Sequence, residues 1–89
     1  MVEKDKLPIS YNEYWYNNKK LRGFYENGLK DSIWISWYTN GNINTIIPYT
    51  NNKINGYYYQ YLEDGRTISI ERYVDGIFSP ALFDEYVDI

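Results

Sequence analysis

With 89 residues, no cysteine, no histidine and a formal net charge of −3, the chain supports one small domain held together by packing alone. Those absences exclude disulfide staples, zinc centres and imidazole- or thiol-based catalytic pairs, and the acidic balance argues against a grip on phosphate backbones or anionic lipid. Rings are in excess: 12 Tyr, 3 Trp and 3 Phe, a content that suits both a β-sheet and an interface.

Residues 1–9 are charged, carry Pro8 and read as a loose N-terminal arm. They lack the apolar centre that a secretory leader needs. No stretch approaches the roughly 20 apolar residues of a membrane span. The expected setting is therefore cytoplasmic, in the host's cytoplasm if the chain is viral.

From residue 10 onward, turn dipeptides set the rhythm: Asn17-Asn18, Asn27-Gly28, Asn40-Gly41, Asn51-Asn52, Asp64-Gly65 and Asp75-Gly76. All six are of the kind that accepts positive φ in two-residue type I′ hairpin turns. They lie 10, 13, 11, 13 and 11 residues apart, so a pair of strands recurs about every 24 residues. Seven strands are expected, near 10–16, 20–26, 32–39, 42–49, 56–63, 67–74 and 81–87. Pro48 falls late in the fourth, where a missing donor is tolerated if it faces away from the ladder. β-branched and aromatic residues dominate, and no 3.6-residue period suggests a helix.

The recurrence holds residue by residue. Trp34, Trp37, Tyr38 and Gly41 are followed 24 positions later by Tyr58, Tyr61, Leu62 and Gly65, and preceded 23 positions earlier by Tyr11, Tyr14, Trp15 and Asn18. Leu82, Glu85, Tyr86 and Ile89 enter the same frame at the far end, with Glu85 departing from it. The second half-unit repeats as Tyr25-x-x-Gly28, Tyr49-x-x-Asn52 and Tyr73-x-x-Gly76. One repeat domain over 10–89 results, with units at about 10–31, 32–55 and 56–79 and a partial unit at 80–89. Sequential strands joined by tight turns make it all-β, a single-layer antiparallel meander of β-hairpin repeats.

The frame Gly-x-Trp-x-x-Tyr-x-x-Asn-Gly, followed by a strand and a second turn, resembles the MORN repeat. It is most similar to the divergent bacterial and viral variant associated with toxin–antitoxin proteins. The likeness runs through Trp34, Trp37, Tyr38, Asn40 and Gly41, then Gly56, Tyr58, Tyr61, Asp64 and Gly65, and spans about residues 11–89. Asn17-Asn18-Lys19-Lys20 in the first unit and Ile89 at the last turn position depart from it, as capping units would. The resemblance implies a thin twisted sheet that binds proteins, and in some members lipids. Aromatic hairpins of this length are also similar to the secreted repeats that bind choline or glucan.

Residues two apart on a strand share a face. One face collects Tyr11, Glu13, Trp15; Trp34, Ser36, Tyr38; Tyr58, Gln60, Leu62; and Leu82, Asp84, Tyr86, giving large-polar-large in each unit. The other collects Asn12, Tyr14; Ile33, Ile35, Trp37; Tyr57, Tyr59, Tyr61; and Phe83, Glu85, continuously apolar or aromatic in the middle units. Periodicity does not say which face is covered, so two readings stay open. If the first packs, then Ile33, Ile35, Trp37, Tyr57, Tyr59, Tyr61 and Phe83 form a partner-binding patch. If the second packs, the first is the half-wet side.

Catalysis is not indicated. Glu26, Glu63, Asp64, Glu71, Asp84, Glu85 and Asp88 sit mostly beside turns, where a solvated role suits them better than a paired-carboxylate site. No phosphate loop, metal-ligand spacing or cofactor motif is present. The Tyr57-Tyr58-Tyr59 run places rings on both sides of one strand; as stacking surfaces they could take sugars or single-stranded bases, the second against the acidic balance. Phe83–Ile89 reads as an acidic-aromatic closing edge strand or a docking peptide. The functional expectation is a non-enzymatic module that neutralises or regulates a protein partner, such as an enzyme it inhibits, in the manner of an antitoxin or phage anti-defence inhibitor. A glycan- or choline-binding module and a homodimerising structural protein are the alternatives, and neither nucleic acid nor membrane is an expected partner.

Overall fold

A computed structural model describes residues 9–16 and 18–80, which form one open antiparallel sheet without a helix. Its strands are β1 (Ile9–Trp15), β2 (Asn18–Glu26), β3 (Leu29–Trp37), β4 (Ile43–Thr50), β5 (Lys53–Ile54), β6 (Gly56–Tyr61), β7 (Thr67–Val74) and β8 (Ile77–Phe78). They follow one another in the sheet in chain order, with β5 pairing the end of β4. This is the all-β meander that the turn spacing predicts. The expected seventh strand, 81–87, and Phe83 with it, lie outside the described residues.

Two kinds of turn alternate, where the sequence suggested one. Asn27-Gly28, Asn51-Asn52 and Asp75-Gly76 have positive φ at both residues, as a two-residue type I′ turn requires. At Asn40-Gly41 and Asp64-Gly65 only the glycine is left-handed, with φ of 93° and 97°. There the chain makes a three-residue loop: Gly41 N–H donates to the Tyr38 carbonyl and Tyr38 N–H to the Asn42 carbonyl, and Gly65, Leu62 and Arg66 repeat the pattern. The Asn40 and Asp64 side chains decide it, each accepting from the backbone N–H two residues on (2.9 and 3.1 Å). The strands expected to run to 39 and 63 therefore end at Trp37 and Tyr61, and Tyr38 and Leu62 close the loops.

The 24-residue period extends to the irregularities. Glu13 pairs with Leu21 but Tyr14 with Lys19; Ser36 pairs with Thr45 but Trp37 with Ile43; Gln60 pairs with Ser69 but Tyr61 with Thr67. One extra residue is inserted each time, at Lys20, Asn44 and Ile68. A second irregularity sets the two-residue strand β5 apart from β6, the strand expected at 56–63. Ser32-Ile33 and Gly56-Tyr57 are extra residues relative to β2 and β4, and Ser32 (φ 66°) and Gly56 (φ 128°) take the left-handed backbone that makes the step. Such bulges add local twist and re-aim side chains. They also explain Pro48 in an interior strand. Its carbonyl accepts from Asn55 N–H at 2.9 Å, and N–H and C=O of one antiparallel residue point to the same neighbour. Its missing N–H therefore falls where the 56–57 bulge withdraws the ladder.

Side chains bind one unit to the next across 21 to 23 residues. Asn18 Nδ2 donates to the Thr39 carbonyl (3.0 Å) and Asn42 Nδ2 to the Glu63 carbonyl (2.7 Å). Trp15 Nε1 donates to the Trp37 carbonyl (3.2 Å), and the Tyr38 hydroxyl to the Tyr61 carbonyl (2.7 Å).

Candidate interaction face

The burial of Trp34 distinguishes the two faces. The large-polar-large face is the packed one. Trp34 is 3% exposed, the only large apolar side chain buried to that degree among the described residues. No second layer covers it; neighbouring rings do. Tyr11 stacks on it at 5.9 Å between centroids, Tyr25 and Tyr49 meet it edge-on at 5.1 and 6.2 Å, and the Lys30 ammonium sits 5.0 Å above it. Beneath it Gly23 has no side chain, and the indole lies directly on the backbone while Nε1 donates to the Phe24 carbonyl at 3.1 Å. Tyr58, Tyr73 and Phe78 continue the ring cluster through β6, β7 and β8. Between the ring groups runs a mostly polar line, Glu13–Leu21–Ser36–Thr45–Gln60–Ser69, in which the Ser36 and Thr45 hydroxyls bond to each other at 2.6 Å.

Ionisation is shifted on this packed face. The Tyr11 hydroxyl donates to the Glu13 carboxylate, which Lys20 also approaches at 3.6 Å. That bond holds the Glu13 carboxyl below its ordinary range and, with desolvation and the nearby negative charge, keeps the Tyr11 proton on to higher pH. Tyr49 is pushed up by burial, and Tyr73 by burial and by Glu71 beside it.

The opposite face is the open one. Direct cross-strand partners draw a row across six strands: Asn12–Arg22–Ile35–Ile46–Tyr59–Ile70. Next to it Ile33 faces Pro48 and Tyr57 faces Arg72. Ile33, Tyr57 and Ile70 remain 46%, 42% and 45% exposed, although all sit inside strands. Tyr59 and Tyr61 hold their rings parallel, 5° apart with centroids 6.4 Å apart. Trp37 and Tyr61 flank a shallow depression with Gly41, Asn42, Ile43 and Gly65, and Lys19 Nζ stands 5.6 Å from the Trp37 ring.

Six of the seven residues marked in the sequence thus share this face, and Phe83 lies outside the described residues. The structure adds Ile46, Pro48 and Ile70, which come from the return strands. A signal for two of them was present: Ile46 and Ile70 are 24 residues apart, in register with Arg22. What was missing was the pairing register, which places them against Ile35 and Tyr59. The charges here are also informative. Arg22 borders the apolar part of the row on β2, its guanidinium carbon 5.9 Å from the Phe24 ring, and Arg72 stands beside Tyr57 on β7, donating to Ser79 Oγ at 3.1 Å. Neither meets a carboxylate among the described residues. Also among the described residues, no three of His, Cys, Asp and Glu converge as metal ligands would, and no helix is long and apolar enough to cross a membrane.

Comparison of the chain with protein-family models, curated proteins and solved structures returned no match.

Proposed function

We propose that the chain is a non-enzymatic, MORN-like protein-binding module that neutralises or regulates its target by covering it with the open sheet face. One observation carries this reading: an unbroken apolar row, Ile35–Ile46–Tyr59–Ile70, half-buried over its first three residues and exposed at Ile70, with exposed Ile33 and Tyr57 beside it, lies on a sheet whose other face holds the packed rings. Aromatic and aliphatic side chains presented in a continuous strip supply binding energy at protein interfaces. The repeat-for-repeat copying of bulges, loops and cross-unit hydrogen bonds supports the repeat assignment on grounds independent of the Trp-x-x-Tyr frame. In an antitoxin-like role, the bound enzyme loses activity because its working surface is occluded.

The test uses Trp37→Ala and Tyr59→Ala. Both are expected to keep a cooperative melt close to the wild type's while losing a target captured by the wild type from the native host, and the target is expected to lose activity with the wild type only. Unfolding of both variants would mean that these rings are core, and the reading would fail. The parallel Tyr59 and Tyr61 rings favour a second reading, a platform for a sugar ring or choline. Titration of oligosaccharides and choline against Trp fluorescence decides it, and a flat titration removes it. If the face instead pairs two copies, light scattering over a dilution series shows a dimer.

A further inference from the structure

The open face is not charge-neutral, and its charges do not follow the chain's. The whole sequence carries −3, yet the charged groups beside the apolar row are Arg22 at one end and Arg72 near the other, with Lys19 over Trp37. The acidic residues on this side are Glu26, beside the Asn27-Gly28 turn, and Asp31, opposite Phe24 in β3; neither is in the Arg22–Ile70 row. From β2 to β7 there are four strand spacings, about 19 Å, and the two arginines are offset by one residue pair along the strands, about 7 Å. Their Cα atoms are therefore on the order of 20 Å apart across a strip only two side-chain rows wide.

We propose that this strip receives an acidic amphipathic helix of the partner protein, its apolar stripe lying on Ile35, Ile46 and Tyr59 and its carboxylates meeting Arg22 and Arg72. The inference rests on the protein-binding reading above and names the partner's chemistry. Three arguments select it. Two rows about 7 Å apart match the width of one helix, roughly 10 Å across, rather than a second sheet. A helix rising about 1.5 Å per residue spans 20 Å in 13–14 residues, so carboxylates at i and i+14, almost four full turns apart, return to one face at the arginine spacing. Charge complementarity then favours an acidic partner over a second copy of this chain, whose row ends in the same arginines and whose Glu26 and Asp31 lie outside that row. A single-stranded nucleic acid fits less well, because isoleucines rather than exposed ring faces fill the middle of the strip.

The experiment titrates three probes into the full chain: an amphipathic 18-residue helix of about five turns with Glu at i and i+14 beside a Leu stripe, the same peptide with Lys in place of Glu, and a single-stranded oligo-uridine. Trp fluorescence and calorimetry report binding. The Glu peptide is expected to bind on the order of tenfold more tightly than the Lys peptide, with the preference shrinking as salt rises. Arg22→Glu, at an exposed position, is expected to weaken the Glu peptide and strengthen the Lys peptide, and Arg72→Glu to do the same. Equal binding of the two peptides, or no effect of either substitution at wild-type melting temperature, would overturn the proposal, as would oligo-uridine binding lost on the same substitutions. If neither peptide binds while the native target is still captured in a Tyr59-dependent way, the helix proposal fails and the protein-binding reading stands. Loss of both fails the two together.

Discussion

Gly23→Ala is a one-carbon change with a large expected consequence. A Cβ at this position would lie 2.0 Å from Trp34 Cδ2 and 2.1 Å from Cε2, where contact needs about 3.5–4 Å. The obstacle is the flat of an indole hemmed in by Tyr11, Tyr25 and Tyr49, so it has no free end to swing aside. The ring must lift by more than an ångström, lose its bond to the Phe24 carbonyl and give up most of its burial. Full loss of a buried Trp costs about 3–5 kcal/mol. A domain of this length is stable by roughly 4–13 kcal/mol, so the change removes a large share of the total. Urea unfolding followed by Trp fluorescence and near-UV circular dichroism measures it. The decisive arm is the double variant: in a Trp34→Ala background the clash is gone, and Gly23→Ala is expected to stabilise by about 0.5–1 kcal/mol through the backbone freedom a strand glycine loses. If Gly23→Ala costs the same with and without the indole, the glycine serves the backbone alone and the account of Trp34 burial is wrong.

Gly41→Ala and Gly65→Ala meet no atom within 4 Å of the added carbon, so each is expected to cost only the left-handed backbone strain, about 1–2 kcal/mol, and the two costs should agree because the loops are copies; a clear inequality in thermal melts would break the equivalence. Tyr38→Phe removes the hydroxyl that donates to the Tyr61 carbonyl and is expected to lose about 1 kcal/mol by urea titration. Acid should weaken the fold through Glu13: its carboxyl is held below the ordinary 4.5, so its contribution is present above that pH and is lost as pH falls through the lowered value. Tyr11→Phe should flatten that slope in melts taken across the acid range. At the alkaline end the sign is opposite. Tyr11, Tyr49 and Tyr73 keep their protons above the ordinary 10.0, so stability present below that pH is lost as it rises, and ultraviolet titration should find these tyrosines ionising late.

The fold was legible because turn chemistry and ring spacing agree on one period. Where the sequence misled, the reason is local. Asn40-Gly41 looks like Asn27-Gly28, yet the first makes a three-residue loop in which the Asn40 side-chain Oδ1 accepts from the Asn42 N–H; dipeptide identity does not encode that choice. Ser32 gives no warning of its left-handed backbone, which is forced by the step that lets Trp34 reach Gly23. Alternation along Ile33, Ile35 and Trp37 separated the faces correctly but could not choose between them. What chose was Gly23, a residue with no side chain, since only a missing Cβ lets an indole sink onto a bare sheet. The face containing that gap became the packed one.

The topology then explains why the other face stays open. A second layer drawn from the same residues would need a connection long enough to cross the sheet, and crossover connections run to a dozen residues or more. Here successive strands are joined by two- and three-residue turns, each fixed by its own backbone hydrogen bonds and repeated at the same offset. The described chain can extend its sheet but cannot fold back over it. Rings packed against rings, on the side that holds Gly23, are the whole of its internal core. A sequence shaped only for solubility would place Thr, Lys or Glu along the remaining row, as the polar line on the packed face shows this fold can accept. Instead Ile35, Ile46, Tyr59 and Ile70 occupy consecutive strands, with an arginine at the start of their row and another beside it at the far side. Among the described residues no element of the meander covers this row, which is the observation the protein-binding proposal starts from.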